Sequence, residues 1–104
     1  MTRKEINLFF KNIRKTRFAG GKFVSVRYTK GANNTAFIVS GPKKSAAPRN
    51  LVRRRISEIV RNSNVIIPRG TDVVFFLKLG QDKKVPNYQD LKKDIKYVVS
   101  KISI

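Results

Sequence analysis

The stretch DVVFFLKL at residues 72–79 is the part of the sequence that most constrains the fold. Its apolar residues are nearly continuous rather than alternating with polar ones, and such a run is typical of a β-strand that is covered on both faces. A strand of this kind needs neighbouring strands on its edges and packed elements on its faces. We therefore predict that residues 72–79 form a central strand of a sheet packed by helices.

Two further strands are predicted from alternation of side chains. Residues 22–28 place Val24, Val26 and Tyr28 on one face and leave the intervening residues on the other. Residues 30–34 contain glycine and two asparagines, which indicates a hairpin loop. Residues 35–40 are then predicted to be the returning strand.

Amphipathic stripes predict three helices. The first covers residues 3–17, with its apolar stripe opposite lysines. The second starts near Ser45, a plausible N-cap, and runs to about Asn62. The third is capped by Asn87 and has a negative charge in its first turn. Its apolar stripe consists of Leu91, Ile95, Val98, Val99 and Ile102.

This order of elements predicts an α+β fold, a two-layer sandwich in which helices pack on a central and mainly antiparallel sheet. The second helix would cross over between neighbouring strands. At 104 residues, the chain has the size of a single domain with one modest core. We predict that residues 1–104 form one RNA-binding domain, for the reasons that follow.

The second helix contains five arginines within residues 47–61, APRNLVRRRISEIVR. On a helical wheel, the apolar residues share one face and the polar residues share the opposite face. Leu51 and Arg55 fit this division badly, since Leu51 lies toward the charged side and Arg55 lies at the edge of the apolar arc. The apolar face consists of Val52, Ile56, Ile59 and Val60, and the polar face of Asn50, Arg53, Arg54, Ser57, Glu58 and Arg61.

The charge balance points to a polyanionic partner. The chain has 24 Lys and Arg against six Asp and Glu, a formal net charge of +18. Nucleic acid is the leading candidate, because guanidinium groups bind phosphate oxygens and stack on bases. An anionic membrane surface is a weaker alternative, since the apolar faces are of the narrow kind that a core uses. Without cysteine or a long apolar run, we expect a cytoplasmic protein.

Catalysis by the chain itself has few candidate groups. The sequence has no histidine and no cysteine, and its six carboxylates are scattered. Asp90 and Asp94 share a helix face and could hold a metal, although compensation of the helix dipole and pairing with Lys93 explain them more simply. Two aromatic–cation pairs could stack on unpaired bases, although a place in the core explains these rings more simply. These pairs are Phe23 with Arg27 and Phe76 with Lys78.

Residues 37–61, FIVSGPKKSAAPRNLVRRRISEIVR, resemble the protein subunit of bacterial ribonuclease P. That family joins a strand ending in Val-Ser through a loop with Lys and Gly to a helix bearing Arg-Asn-Arg-x-Lys-Arg-x-x-Arg-Glu. The matching residues are Val39, Ser40, Ala46, Arg49, Asn50, Arg53, Arg54 and Glu58.

Departures from the family pattern fall at a few positions. Leu51 and Ser57 stand where the family has arginines, and Arg55 stands where the family usually has an apolar residue. The exchange at 51 and 55 suggests that a basic group has moved one turn along the helix. A simpler interpretation is that Leu51 packs on a neighbouring loop while the stem of Arg55 runs along the edge of the core. Residues 41–42 are Gly-Pro in place of two lysines, for which Lys43 and Lys44 could substitute.

The resemblance implies an α-β-β-β-α-β-α order, with the arginine helix in a left-handed crossover, and a partner RNA as the catalyst. The protein would bind ribonuclease P RNA through the arginine helix. It would also hold the single-stranded 5' leader of precursor tRNA in a cleft between the sheet and the N-terminal helix. Mg²⁺ would be bound mainly by the RNA and the substrate, and no obligate protein partner is expected.

Our main hypothesis is therefore an accessory subunit of an endoribonuclease that matures the 5' end of tRNA. The rival hypotheses are a stand-alone structural RNA-binding protein, similar to a ribosomal protein, and a self-sufficient nuclease that uses Asp90 or Asp94. The predicted RNA-binding residues are Lys43, Lys44, Arg49, Asn50, Arg53, Arg54 and Arg61. The predicted residues of the leader cleft are Phe9, Phe10, Arg27 and Tyr28.

Overall fold

The structure is a computed structural model that describes residues 3–40, 46–62, 67–78 and 86–102. A 3-10 turn, Ile13–Lys15, joins the first helix to the first strand. The order α-β-β-β-α-β-α agrees with the resemblance, and the α+β class is confirmed. The elements are α1 (Arg3–Lys11), β1 (Arg17–Gly20), β2 (Val24–Lys30), β3 (Thr35–Ser40), α2 (Ala46–Asn62), β4 (Thr71–Lys78) and α3 (Tyr88–Ser100).

The four strands form one mixed sheet in the order β1-β2-β4-β3. β2 pairs antiparallel with both β1 and β4, while β3 pairs parallel with β4. β4 is therefore central, as the apolar run at 72–79 predicts. Helix α2 is the crossover between the neighbouring parallel strands β3 and β4, also as predicted. The left hand of that crossover stays a prediction.

Helices α2 and α3 cover one face of the sheet and form the main core with it. Alternate residues of β4, Val73, Phe75 and Leu77, are buried in this core. The whole predicted apolar stripe of α3 is buried in this core too. The predicted cap of α3 is confirmed, since the Asp90 backbone N–H donates to Asn87 Oδ1 at 2.9 Å. Burial of these side chains supplies most of the driving force for folding.

Helix α1 packs on the opposite face of the sheet. Phe9 is buried there with Ala36 and Val74, and Ile6 and Phe76 pack against them. Val74 and Phe76 alternate along β4 with the residues of the main core, so β4 is covered on both faces, as predicted. Among the described residues, none of the helices is long and apolar enough to span a membrane.

The prediction of a first helix over residues 3–17 is wrong at its C-terminal end. The helix stops at Lys11, and the Asn12 side chain donates to the Leu8 carbonyl oxygen at 3.1 Å. After the 3-10 turn, the chain enters β1, a strand that the sequence pattern missed. Its four residues are too few to show an alternation, and its pairing with β2 decides its conformation.

The prediction of a hairpin between the strands at 22–28 and 35–40 is also wrong, because β4 lies between β2 and β3. The 31–34 segment is held by the start of β4 instead. The Asp72 carboxylate accepts hydrogen bonds from the backbone N–H groups of Ala32 and Asn34, each at 3.0 Å. The nearly continuous apolar run of β4 is buried best at the centre of the sheet, which displaces β3 to the edge.

The turn between β1 and β2 is held by a carboxylate from α3. Asp94 accepts hydrogen bonds from the backbone N–H groups of Lys22, Phe23 and Val24 at 2.7–2.8 Å. A Cβ at Gly21 would collide with this carboxylate, so glycine is required there. The expectation that dipole compensation and Lys93 explain Asp94 is wrong, because these three backbone donors take up its oxygens. The predicted cap at Ser45 lies outside the described residues.

Candidate RNA interface

The two faces of α2 differ as the helical wheel predicts. Val52, Ile56 and Ile59 are buried in the main core, while Arg53 and Arg54 are exposed. The buried stripe fixes the rotation of the helix about its axis, so packing of the apolar side directs the arginines outward. The exposed residues of this face also include Asn50, Glu58 and Arg61.

A groove lies between this face of α2 and strand β3, and we call it the α2–β3 groove. It has a volume of about 670 Å³. Arg53 Nη2 donates to Asn50 Oδ1 at 3.0 Å, which orients this guanidinium along the helix. With three arginines and one glutamate, the lining is positive and matches phosphate groups. Its residues are Thr35, Phe37, Asn50, Arg53, Arg54, Ser57, Glu58 and Arg61.

Four of the predicted RNA-binding residues line the α2–β3 groove: Asn50, Arg53, Arg54 and Arg61. Arg49 is half-buried in the first turns of α2 and is not among the lining residues. Lys43 and Lys44 lie outside the described residues, so their contribution stays a prediction.

The structure separates the roles of Leu51 and Arg55. Arg55 is half-buried, and its Nη1 donates to the Pro86 carbonyl oxygen at 3.2 Å, at the approach to α3. This contact agrees with a side chain whose stem runs along the edge of the core. Leu51, by contrast, keeps 39% of its surface exposed. Arg55 therefore has a contact within its own fold, and its replacement of an arginine at position 51 stays a prediction.

The sheet face next to α1 carries aromatic rings and cations together. Phe10 is 36% exposed, and its ring meets Phe76 edge to face at 5.9 Å between centroids. Phe18 on β1 is 59% exposed, and the Arg27 guanidinium carbon lies 5.4 Å from its ring centroid. A depression of about 300 Å³ on this face is lined by Phe18, Phe76 and Lys78, among others. We call this surface the sheet-face cleft.

The simpler expectation for Phe23, a place against the core, is confirmed, and the alternative pairing of Phe23 with Arg27 is wrong, since Phe18 lies beside Arg27. Arg27 pairs across the β1–β2 ladder with Phe18, and β1 was missed in the sequence. Phe23 packs against the main core, with Lys22 Nζ 5.3 Å from its centroid. The predicted pair of Phe76 and Lys78 does lie together on the wall of the cleft.

Two residues predicted for the leader cleft lie in the interior instead. Tyr28 is only 5% exposed, its ring lies in the main core, and its hydroxyl donates to the Lys101 carbonyl oxygen at 3.4 Å. Strand alternation thus puts Tyr28 and Arg27 on opposite faces of the sheet. Phe9 is 7% exposed and packs under α1 with Ala36 and Val74, while its remaining surface lines a depression of about 290 Å³ between α1 and the sheet. Of the four predicted residues, Phe10 and Arg27 are the two that are not buried, and contact of all four with the leader stays a prediction.

The two acidic residues considered as a metal site are engaged by the protein. Asp90 Oδ2 accepts a hydrogen bond from Asn87 Nδ2 at 3.0 Å, and Asp94 holds the β1–β2 turn. Within the described ranges, no cluster of three His, Cys, Asp or Glu residues has the arrangement of a metal site. The geometry gives the nuclease hypothesis no support from these two carboxylates.

Taken together, the fold and these surfaces define a small, strongly basic α+β protein with an arginine-bearing crossover helix on one side and an aromatic–cation cleft on the other. A family model described as Ribonuclease P matches residues 2–103. The chain therefore belongs to the ribonuclease P protein family, and the resemblance inferred from the sequence is confirmed. The search of curated proteins found no match.

Solved structures of bacterial ribonuclease P proteins share this fold. The protein from Thermotoga maritima, in complex with 1-(4-fluorophenyl)-2-thiourea, has a TM-score of 0.73 at 18% identity, covering 99% of this chain and 100% of that chain. A second Thermotoga maritima structure has a TM-score of 0.68 at 20% identity, with coverage of 97% and 94%. The Staphylococcus aureus protein has a TM-score of 0.67 at 15% identity, with coverage of 96% and 90%. At these identities, the likeness supports the fold.

Proposed function

We propose that this protein is the RNA-binding subunit of ribonuclease P and assists Mg²⁺-dependent removal of the 5' leader from precursor tRNA. The observation that carries the proposal is the arginine face of α2, whose buried side is anchored in the core while its exposed side lines a positive groove. Membership of the ribonuclease P protein family supports the same function.

We assign the two nucleic acids to opposite faces of the sheet. The α2–β3 groove binds phosphates of the catalytic RNA through Arg53, Arg54 and Arg61. The sheet-face cleft, on the opposite side, holds the single-stranded leader, because unpaired bases stack on aromatic rings beside cations. The chemistry belongs to the RNA, and Mg²⁺ is held there and by the substrate. The protein's part is to bind and position both nucleic acids.

Reconstitution tests the proposal directly. The purified protein is added to a bacterial ribonuclease P RNA at low magnesium concentration, and cleavage of precursor tRNA is measured. We expect faster cleavage by the mixture than by the RNA alone, and no cleavage by the protein alone. Tight RNA binding without stimulation at any protein concentration would identify a stand-alone RNA-binding protein instead. Cleavage by the protein alone would favour the nuclease hypothesis.

The sheet-face cleft yields a prediction about the substrate. Phe18→Leu removes an exposed ring beside Arg27 but keeps an apolar side chain. We expect the reconstituted enzyme to bind leader-bearing precursor tRNA about five- to tenfold more weakly, since stacking of a base on an aromatic ring contributes about 1–3 kcal/mol. Binding of mature tRNA, which lacks the leader, should not change.

Tyr97→Leu is the control for Phe18→Leu. Tyr97 is a similarly exposed ring on α3, away from both surfaces, with Lys101 Nζ 5.3 Å from its centroid. Equal weakening of precursor and mature tRNA by Phe18→Leu would count against a role in holding the leader. So would the same weakening by Tyr97→Leu.

Leu51→Arg restores the arginine that the family pattern has at this position. Because the Leu51 side chain is partly exposed and Arg55 is bound to Pro86, an added guanidinium at 51 can reach phosphate without displacing a packed group. We expect about fivefold tighter binding to the catalytic RNA, as for one further phosphate contact near 0.1 M salt. Leu51→Gln, which is polar but uncharged, should bind as the wild type does. Unchanged binding of Leu51→Arg would show that position 51 lies off the interface.

A further inference from the structure

One wall of the α2–β3 groove contains an aromatic ring, and phosphate binding does not explain its presence. Phe37 is half-buried and lines the groove beside the arginine face of α2. Its ring stacks on that of Phe75, with 5.5 Å between centroids and 18° between planes. The two residues are direct partners in the β3–β4 ladder, so the stacking follows from the register of the sheet.

The position of β3 determines which side of the Phe37 ring is covered. β3 is an edge strand among the described strands, with β4 as its neighbour on one side. Phe75 covers the ring face that is directed toward β4. Phe37 also packs against the main core, and as a half-buried lining residue it leaves part of its surface open to the α2–β3 groove. An aromatic ring that is supported by packing and partly open to a positive groove can take a stacked nucleobase.

We propose that the α2–β3 groove binds an unpaired nucleotide of the partner RNA, with its base stacked on Phe37 and its flanking phosphates on Arg53 and Arg61. The proposal rests on the proposed function and specifies the form of RNA that this site takes. A paired base in an A-form helix is already stacked on its neighbours and cannot reach a protein ring, whereas a bulged or single-stranded base can.

Charge and shape in the groove agree with this occupant. Three arginines and one glutamate give the α2 side a positive lining that suits two phosphates flanking one base. The hydrogen bond from Arg53 to Asn50 orients the guanidinium along the helix beside the groove. An interface that used phosphate contacts alone would need the arginines but no aromatic ring beneath them.

The absence of tryptophan from the sequence makes the stacking measurable. Phe37→Trp introduces a single indole at the proposed platform, and this variant is titrated with a bacterial ribonuclease P RNA. We expect wild-type affinity, because the aromatic face is kept, and quenching of the indole fluorescence as the RNA binds. Tyr97→Trp, which puts the single indole on the exposed surface of α3, should keep its fluorescence.

Affinity provides the second measurement. Phe37→Leu keeps an apolar side chain against Phe75 but removes the ring face, and we expect about tenfold weaker binding to the same RNA. Tyr97→Leu, the matched control, should bind as the wild type does. Circular dichroism and thermal unfolding establish that each variant is folded before it is titrated.

The outcomes separate this proposal from the proposed function. If the wild-type protein neither binds the RNA nor stimulates cleavage, the proposed function fails and this inference fails with it. If the wild type stimulates cleavage but Phe37→Trp binds without quenching, the stacking proposal alone is overturned. Wild-type affinity of Phe37→Leu overturns it as well, and so does weak binding by Phe37→Trp. If Phe37→Leu binds the RNA more weakly but the indole of Phe37→Trp is not quenched, the loss of affinity comes from disturbed core packing on Phe75 and the stacking proposal is overturned.

Discussion

Replacing Asp94 with alanine is expected to lower the free energy of unfolding by about 3–5 kcal/mol, a large part of the total for a domain of this size. The Asp94 carboxylate accepts three backbone hydrogen bonds from the β1–β2 turn, and the Val24 N–H among them is buried. Without the carboxylate, these donors lose their acceptor, and the turn is no longer fastened to α3. Urea unfolding at neutral pH measures the change.

Asp90→Ala is the matched control for Asp94→Ala. It removes the same charge from the same helix, so both variants raise the net charge equally, but Asp90 is exposed and its hydrogen bonds among the described residues are to Asn87, at the start of α3. We expect a much smaller loss of stability. Asp94→Asn, which keeps one acceptor oxygen, should fall between the two. Equal losses for Asp90→Ala and Asp94→Ala would show that the effect is one of overall charge.

Replacing Arg53 and Arg54 together with alanine is expected to weaken binding to ribonuclease P RNA about tenfold or more near 0.1 M salt. The slope of log affinity against log salt concentration should become shallower by about 1.4–1.8, since each lost phosphate contact removes about 0.7–0.9. Unfolding should be little affected, because both side chains are exposed and exposed charges contribute little to folding. Titrations over a range of salt concentrations give both quantities.

Lys93→Ala with Lys96→Ala is the control for the arginine pair. Both lysines are exposed on α3, so the double variant removes the same charge from a surface outside the α2–β3 groove. If it weakens RNA binding as much as the arginine variant does, the protein binds through its total charge rather than through α2. A large fall in melting temperature for the arginine variant would instead make Arg53 and Arg54 structural.

The arginine face and the central strand were predictable because their signals are local. The rotation of α2 follows from the spacing of Val52, Ile56 and Ile59 within a single helix, and their burial confirms it. The apolar run at 72–79 likewise indicates burial on both faces without reference to any other segment. The cap at Asn87 depends on residues three positions apart. Each of these features is determined by neighbours within a few positions along the chain.

The sheet-face cleft was only partly predictable, because alternation along β2 separates two faces without saying which one is the core. Tyr28 was assigned to the cleft with Arg27, but α2 and α3 cover the Tyr28 face, which buries its ring. Phe18 was missed because β1 is too short to show a period. The pairing of β1 with β2, which joins separate segments of the chain, places the Phe18 ring beside Arg27.

The sequence by itself determined the positive charge, the two faces of α2, the burial of β4 and the family to which the chain belongs. Only the tertiary structure decided that β4 separates β2 from β3, that Asp94 holds a turn some 70 residues earlier in the chain, and that the Phe37 ring stacks on that of Phe75. The physical reason is the range of the interactions. Helical and strand periods depend on residues a few positions apart, so they can be detected in the sequence. Strand order and these contacts join segments that are distant in the chain, so the local spacing of residues does not predict them.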